Sequence, residues 1–176
     1  RWPWFFNSVG PGYSIYITWD GGEKWKKLTA DDGLPPGEIG RTGLAIAPSD
    51  PSVVYALVES EMNALYKSVN GGNQWTKVSD KNIGNRPFYY AELYVDPKNE
   101  NRIFNLHSFV TKSEDGGKTF EGLMTWNQQP TDIHPDHHAW WINPDDPAKS
   151  IILGTDKEAD GAIYAFDLNG KIIEEK

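Results

Sequence analysis

Apolar and polar residues alternate along short runs of this chain, and each run ends at glycine, proline, asparagine or aspartate. Tyr13 to Thr18 alternates into one such turn and Trp25 to Leu28 leaves it; Leu44 to Ala47 and Leu93 to Asp96 alternate up to turns that contain proline. A period of two predicts β-strands, and the residues that bound the runs predict tight turns: the glycines supply positive φ without a steric cost, and Asp or Asn side chains accept hydrogen bonds from turn N–H groups.

The turns recur. Thr18-Trp19-Asp20-Gly21-Gly22-Glu23-Lys24-Trp25, Ser68-Val69-Asn70-Gly71-Gly72-Asn73-Gln74-Trp75 and Ser113-Glu114-Asp115-Gly116-Gly117-Lys118-Thr119-Phe120 share one pattern at spacings of 50 and 45 residues. A second pattern keeps step with it. Ala47-Pro48-Ser49-Asp50-Pro51, Asp96-Pro97-Lys98-Asn99 and Asn143-Pro144-Asp145-Asp146-Pro147 each precede a strand, and their first prolines are 49 and 47 residues apart. Each repeat therefore holds about four short strands, the size of one β-propeller blade. The expected fold is all-β: four-stranded antiparallel blades in a single segment, 1–176, with repeats near 1–40, 41–89, 90–136 and 137–176, three recognisable and the fourth partial. Trp25, Trp75 and Phe120, which close the three turns, are expected in the core. Asp20, Asn70 and Asp115 are expected to be structural turn formers.

Composition supports strands over helices. The 176 residues include 17 glycines, 12 prolines, 8 Trp, 8 Tyr and 7 Phe, which suits frequent turns and aromatic packing and makes an all-helical bundle a poor fit. The net charge of −8 comes with dispersed bases, so no cationic face is expected for nucleic acid or an anionic membrane. No apolar run reaches the roughly 20 residues of a membrane span. The absence of cysteine excludes disulfides and thiolate metal sites. A chain opening on Arg1 is expected to be processed or part of a longer protein, and an arc of fewer than four blades is expected to associate with remaining blades or with itself.

The repeated Ser/Thr-x-Asp-x-Gly-x-x-Trp/Phe pattern resembles the Asp-box, or BNR, repeat of sialidases, xyloglucanases, sortilin-type receptors and photosystem assembly factors. Gly37-Glu38-Ile39-Gly40-Arg41-Thr42-Gly43-Leu44-Ala45, Asn85-Arg86-Pro87-Phe88-Tyr89-Tyr90, Lys112 to Phe120 and Asp136-His137-His138-Ala139-Trp140 resemble bacterial secreted proteins with sortilin (VPS10)-like repeats, usually labelled glycosyl hydrolases. That resemblance covers roughly residues 10 to 147. It implies part of a large propeller, extracellular or periplasmic, that binds or hydrolyses polysaccharide; a sortilin-like module that binds protein or peptide is the alternative. From about 141 to 176 the chain is instead similar to the opening blade of β-propeller phytases. This implies a second alternative, a calcium-dependent phosphohydrolase with Lys157 as a phosphate contact. The acidic run of that family is replaced here by His137-His138-Ala139. No cofactor is expected, calcium entering only with the phytase-like reading.

Candidate site residues follow from superposing the repeats on Pro48, Pro97 and Pro144. Seven residues earlier lie Arg41, Tyr90 and His137, where innermost strands begin and ligands meet a propeller. Thr42, Ala91 and His138 come next; Gly40, Tyr89 and Asp136 come before. Arg41, Tyr90, His137, His138 and Trp140 are the expected substrate contacts, Trp140 or its neighbour Trp141 stacking on a sugar ring. Glycoside hydrolysis needs two carboxylates about 5 to 10 Å apart. The acids near the mouth are Glu38, Glu92 and Asp136, of which Glu92 and Asp136 are the candidate pair. The cluster His134-Pro135-Asp136-His137-His138 suggests a metal, but in extended chain His134 and His138 would stand about 13 Å apart, so no metal site is expected.

Overall fold

The computed structural model describes residues 8–85, 87–89, 91–124, 137, 139–154 and 162–175. Among them the regular structure is β throughout, apart from one 3-10 turn, Ala30–Asp32. The strands are β1 (Tyr16–Ile17), β2 (Lys26–Lys27), β3 (Thr42–Ile46), β4 (Val54–Val58), β5 (Ala64–Ser68), β6 (Thr76–Ser79), β7 (Glu92–Asp96), β8 (Asn99–Leu106), β9 (Val110–Ser113), β10 (Glu121–Met124), β11 (Ala139–Ile142), β12 (Ser150–Gly154), β13 (Ala162–Phe166) and β14 (Ile172–Glu175). They form three four-stranded sheets, β3-β4-β5-β6, β7-β8-β9-β10 and β11-β12-β13-β14, and a two-stranded sheet, β1-β2. Every neighbouring pair is antiparallel.

The sheets face one another, and each interface is an apolar layer. Ile15, Leu28, Val54, Ala56, Val58, Tyr66 and Trp75 fill the space between the first and second sheets. Tyr55, Leu57, Leu65, Leu93, Val95, Ile103 and Phe120 lie between the second and third, and Phe104, Leu106, Val110, Leu123 and Trp140 between the third and fourth. Because β4 is covered on both sides, all five of its residues are buried, and its sequence Val-Tyr-Ala-Leu-Val shows no polar alternation. Gly43 marks the closest approach of two sheets. A Cβ there would fall 1.6 Å from the Ala91 carbonyl oxygen, so only glycine lets β3 lie this near the chain entering β7.

The three repeated turns share one hydrogen-bond network. The hydroxyls of Thr18, Ser68 and Ser113 accept from the N–H of Gly22, Gly72 and Gly117 at 3.0, 2.9 and 2.9 Å. The same hydroxyls donate to Asp20, Asn70 and Asp115 at 2.8, 2.9 and 2.8 Å. Each of those oxygens also accepts from a backbone N–H four residues on, in Lys24, Gln74 and Thr119, at 3.0, 2.9 and 2.9 Å.

The closing aromatics do not share one environment. Trp75 is 5% exposed and Phe120 6%, but Trp25 is 59% exposed, against the expectation of a core residue. Trp75 and Phe120 each pack in the layer shared with the preceding sheet. Trp25 belongs to the first sheet, and among the described residues no sheet stands in front of it.

Candidate functional site

Strand direction sorts the connections onto two ends of the sheets. The repeated turns and the proline turns lie at one end, where Gly71 N–H donates to the Ser52 carbonyl at 2.8 Å and Gly116 N–H to that of Asn101 at 2.9 Å. At the opposite end β3, β7 and β11 begin, and there a cleft of about 470 Å³ opens beside the start of β3. Tyr13, Tyr16, Arg41, Thr42, Leu44 and Phe88 are among its lining residues.

Arg41 is held by both neighbouring sheets. Its backbone N–H donates to Glu59 Oε2 at 2.9 Å. Its guanidinium donates to the Tyr89 carbonyl at 2.6 Å and to Glu92 Oε1 at 2.9 Å. The other Glu92 oxygen accepts from the Ala91 N–H at 2.8 Å. Arg41 is therefore fixed across the gap between β3 and β7, and Glu92 is turned toward it rather than left as an independent acid. Glu59, at the end of β4, is buried; besides the Arg41 N–H it accepts from the Ser8 hydroxyl. A Cβ on Gly40 would lie 2.2 Å from Glu59 Oε2, so glycine is what admits this carboxylate. The Thr42 hydroxyl is buried in the cleft wall and has no hydrogen-bond partner among the described residues.

The cleft brings together some expected residues and not others. Arg41 and Thr42 line it, and Glu92 backs Arg41. His137 is not in its lining: it is buried, and its N–H donates to the His107 carbonyl at 3.1 Å. Burial disfavours charge on His107 and lowers its pKa to about 4, so the ring is neutral near pH 7. Trp140, expected as a sugar contact, is also buried and stacks on Phe104 with ring centroids 4.9 Å apart. Its exposed neighbour is Trp141, because successive strand residues face opposite sides and this one points away from the third sheet. Glu38 lines a separate cleft of about 420 Å³ with Leu28, Leu34 and Pro35. Tyr90, Asp136, His138, His134 and Lys157 lie outside the described residues.

Sequence reasoning missed Glu59, Tyr13 and Tyr16. Glu59 had a signal, a lone acid ending the apolar run Val53 to Val58. The two tyrosines read only as strand residues.

No family model and no curated protein matches the chain. Among solved structures it is similar to an ancestral GH74 enzyme (TM-score 0.59, 19% identity, covering 81% of this chain and 19% of that one). A GH74 xyloglucanase from Xanthomonas campestris matches with TM-score 0.55 and 16% identity over 89% of this chain and 26% of the enzyme. YCF48 from Cyanidioschyzon merolae matches with TM-score 0.50 and 16% identity over 81% and 38%. These are β-propellers. The sheets of this chain are propeller blades. The chain spans well under half the length of each of these neighbours.

Proposed function

We propose that the chain is a segment of an extracellular, glycoside hydrolase-like propeller of the Asp-box kind, and that the cleft at Arg41 binds a neutral polysaccharide. The observation that carries this reading is the pairing of two exposed tyrosine rings, Tyr13 and Tyr16, with the anchored guanidinium of Arg41 around one cleft. Flat aromatic faces stack on the apolar faces of sugar rings, while the half-exposed Arg41 guanidinium supplies hydrogen bonds to ring hydroxyls. Arg41 is neutralised by Glu92 and Glu59 lies behind it, which disfavours anionic sugars. The likeness to a protein described as a xyloglucanase supports the same reading through the fold alone. Glu92 and Asp136 remain the proposed pair for hydrolysis, and Glu92 also holds Arg41 in place for binding.

Titration with neutral glucan oligosaccharides and with inositol hexakisphosphate, each with and without calcium at low and high salt, tests the proposal. Neutral oligomers should bind with little dependence on salt, because no ion pair forms. Replacing Tyr16 by Ala or Arg41 by Met should weaken that binding by about tenfold. Calcium-dependent binding of the phosphate alone would replace this reading with the phytase-like one, and failure of both ligands would favour a sortilin-like protein-binding module.

A further inference from the structure

A further groove, of about 450 Å³, lies between the second and third sheets at the end that carries the repeated turns, opposite the Arg41 cleft. Lys67 of β5, Lys77 of β6 and Lys118 of the third repeated turn line it. Lys67 is partly buried. Its Nζ donates to Asn101 Oδ1 at 3.3 Å and stands 5.2 Å from the centre of the Tyr55 ring. Among the described residues neither Lys67 nor Lys118 forms an ion pair, whereas Lys77 is paired with Asp80 at 2.8 Å. The acids around the groove are held elsewhere: Asp115 bonds to Ser113 and Thr119, Glu100 to Ser49 and Asn101, and Asp50 to Ser52. Burial, joined by repulsion from Lys118, outweighs the attraction of Glu100 and Asp50 and lowers the Lys67 pKa. A partly buried ammonium without a counter-ion is uncommon in a folded protein.

The next repeat shows how the same position is neutralised within the chain. With Ser68 aligned on Ser113, Lys67 corresponds to Lys112, Val69 to Glu114 and Thr76 to Glu121. Lys112 is buried and donates to the Leu168 carbonyl at 3.1 Å, with carboxylate oxygens of Glu114 and Glu121 at 3.3 and 3.5 Å. Around Lys67 both acids are replaced, and the replacing side chains, Val69 and Thr76, line the groove. The second repeat thus keeps the cation and lacks its two anions. We propose that the groove binds an acidic sugar, the carboxylate of a uronic acid bridging Lys67 and Lys118 in the role that Glu114 and Glu121 play toward Lys112. Such ammonium–carboxylate bonds are charge-assisted. A ring with hydroxyls beside its carboxylate matches the walls: the Thr76 hydroxyl is exposed there, and Asn70, whose Oδ1 is engaged in its turn, keeps its Nδ2 as a donor. The site is separate from the Arg41 cleft and does not depend on what that cleft binds.

Titration calorimetry of the full chain with a galacturonate oligomer, a neutral glucan oligomer, a glutamate-rich peptide and inorganic phosphate tests the proposal. The galacturonate oligomer should bind, with an affinity that falls as salt rises, and Lys67→Gln should weaken it by at least about tenfold. Val69→Glu with Thr76→Glu, which gives Lys67 the partners that Lys112 has, should weaken it as much while melting no lower than the unsubstituted protein. Neither change should alter binding of the neutral oligomer, so this site and the Arg41 cleft are tested separately. Absence of galacturonate binding would overturn the proposal. So would undiminished binding by Lys67→Gln and the paired variant when circular dichroism shows native strand content. Peptide or phosphate binding as tight as that of galacturonate, and equally sensitive to Lys67→Gln, would overturn the assignment to an acidic sugar.

Discussion

Exchanging the turn residues between repeats tests how the blades are held. Asp115 accepts hydrogen bonds from Thr119 N–H at 2.9 Å, from the Ser113 hydroxyl at 2.8 Å and from the Thr119 hydroxyl at 2.7 Å. Its burial opposes ionisation, but these bonds, led by the Thr119 N–H, outweigh it and bring the carboxyl from the ordinary 3.8 down to about 2. That gap corresponds to at most about 2.4 kcal/mol, and solvent screening at this exposed turn reduces it to about 1 kcal/mol. A carboxyl whose folded pKa is depressed stabilises the fold above its unfolded value; the benefit is therefore complete above about pH 4 and lost as pH falls toward 2. Asp115→Asn should cost about 1 kcal/mol at pH 7, and Asp115→Ala, which also removes the acceptor, about 2 kcal/mol, or roughly 4 to 8 °C in melting temperature. Asn70→Asp, the reciprocal change, gives Ser68 and Gln74 a charged acceptor and should add about 0.5 to 1 kcal/mol. Denaturation monitored by circular dichroism from pH 7 to pH 2 measures all three. The single result that would falsify the reasoning is an unchanged midpoint for both Asp115 variants across that range.

Other outcomes follow from burial and close approach. Trp75→Ala should destabilise by about 3 to 5 kcal/mol, whereas Trp25→Ala in dilute protein should cost under about 1 kcal/mol; equal losses in urea titrations would contradict the placement of these two rings. Gly43→Ala must push β3 off the Ala91 carbonyl and should cost about 3 kcal/mol, so an unshifted melting curve would rule out the close approach. His107, depressed to about 4 from 6.5, stabilises the fold fully above pH 6.5 and loses that contribution as pH falls toward 4. Its ring proton shifts should titrate near 4 in an NMR series; an inflection near 6.5 would place the ring in solvent.

The sequence carried the turns most completely, because their chemistry is local. Asp20, Asn70 and Asp115 bond to groups at most four residues away, and the glycines between them are needed by the backbone alone. Strand faces were legible only where one side is solvated: β4 is apolar throughout because two sheets cover it, and periodicity could not assign its sides. Trp25 shows the limit of reading repeats as equivalent, since its turn matches that of Trp75 while its burial depends on a neighbouring sheet. The cleft was less legible for the same reason. Counting from the prolines located Arg41 and Thr42, yet the contacts that fix Arg41 run to Tyr89 and Glu92, about 50 residues on at the entry to the next sheet, and Glu59 enters from the end of another strand. Trp140 and Trp141 were indistinguishable by type, and only the register of β11 against the third sheet separates them.

The indole N–H groups of Trp25 and Trp75 each donate to a glycine carbonyl of their own turn, Gly22 and Gly72, at 2.9 Å. The ring that fills a neighbour's surface is therefore oriented by its own hairpin, and Trp25 holds the same bond although no sheet among the described residues stands in front of it. Docking one blade on another then needs little reordering of that side chain, which lowers the entropic cost of each added interface. A repeat built this way is interchangeable: units can be gained, lost or exchanged along the array while each carries its preset contact with it, and the preceding sheet need only offer a flat apolar surface to receive it.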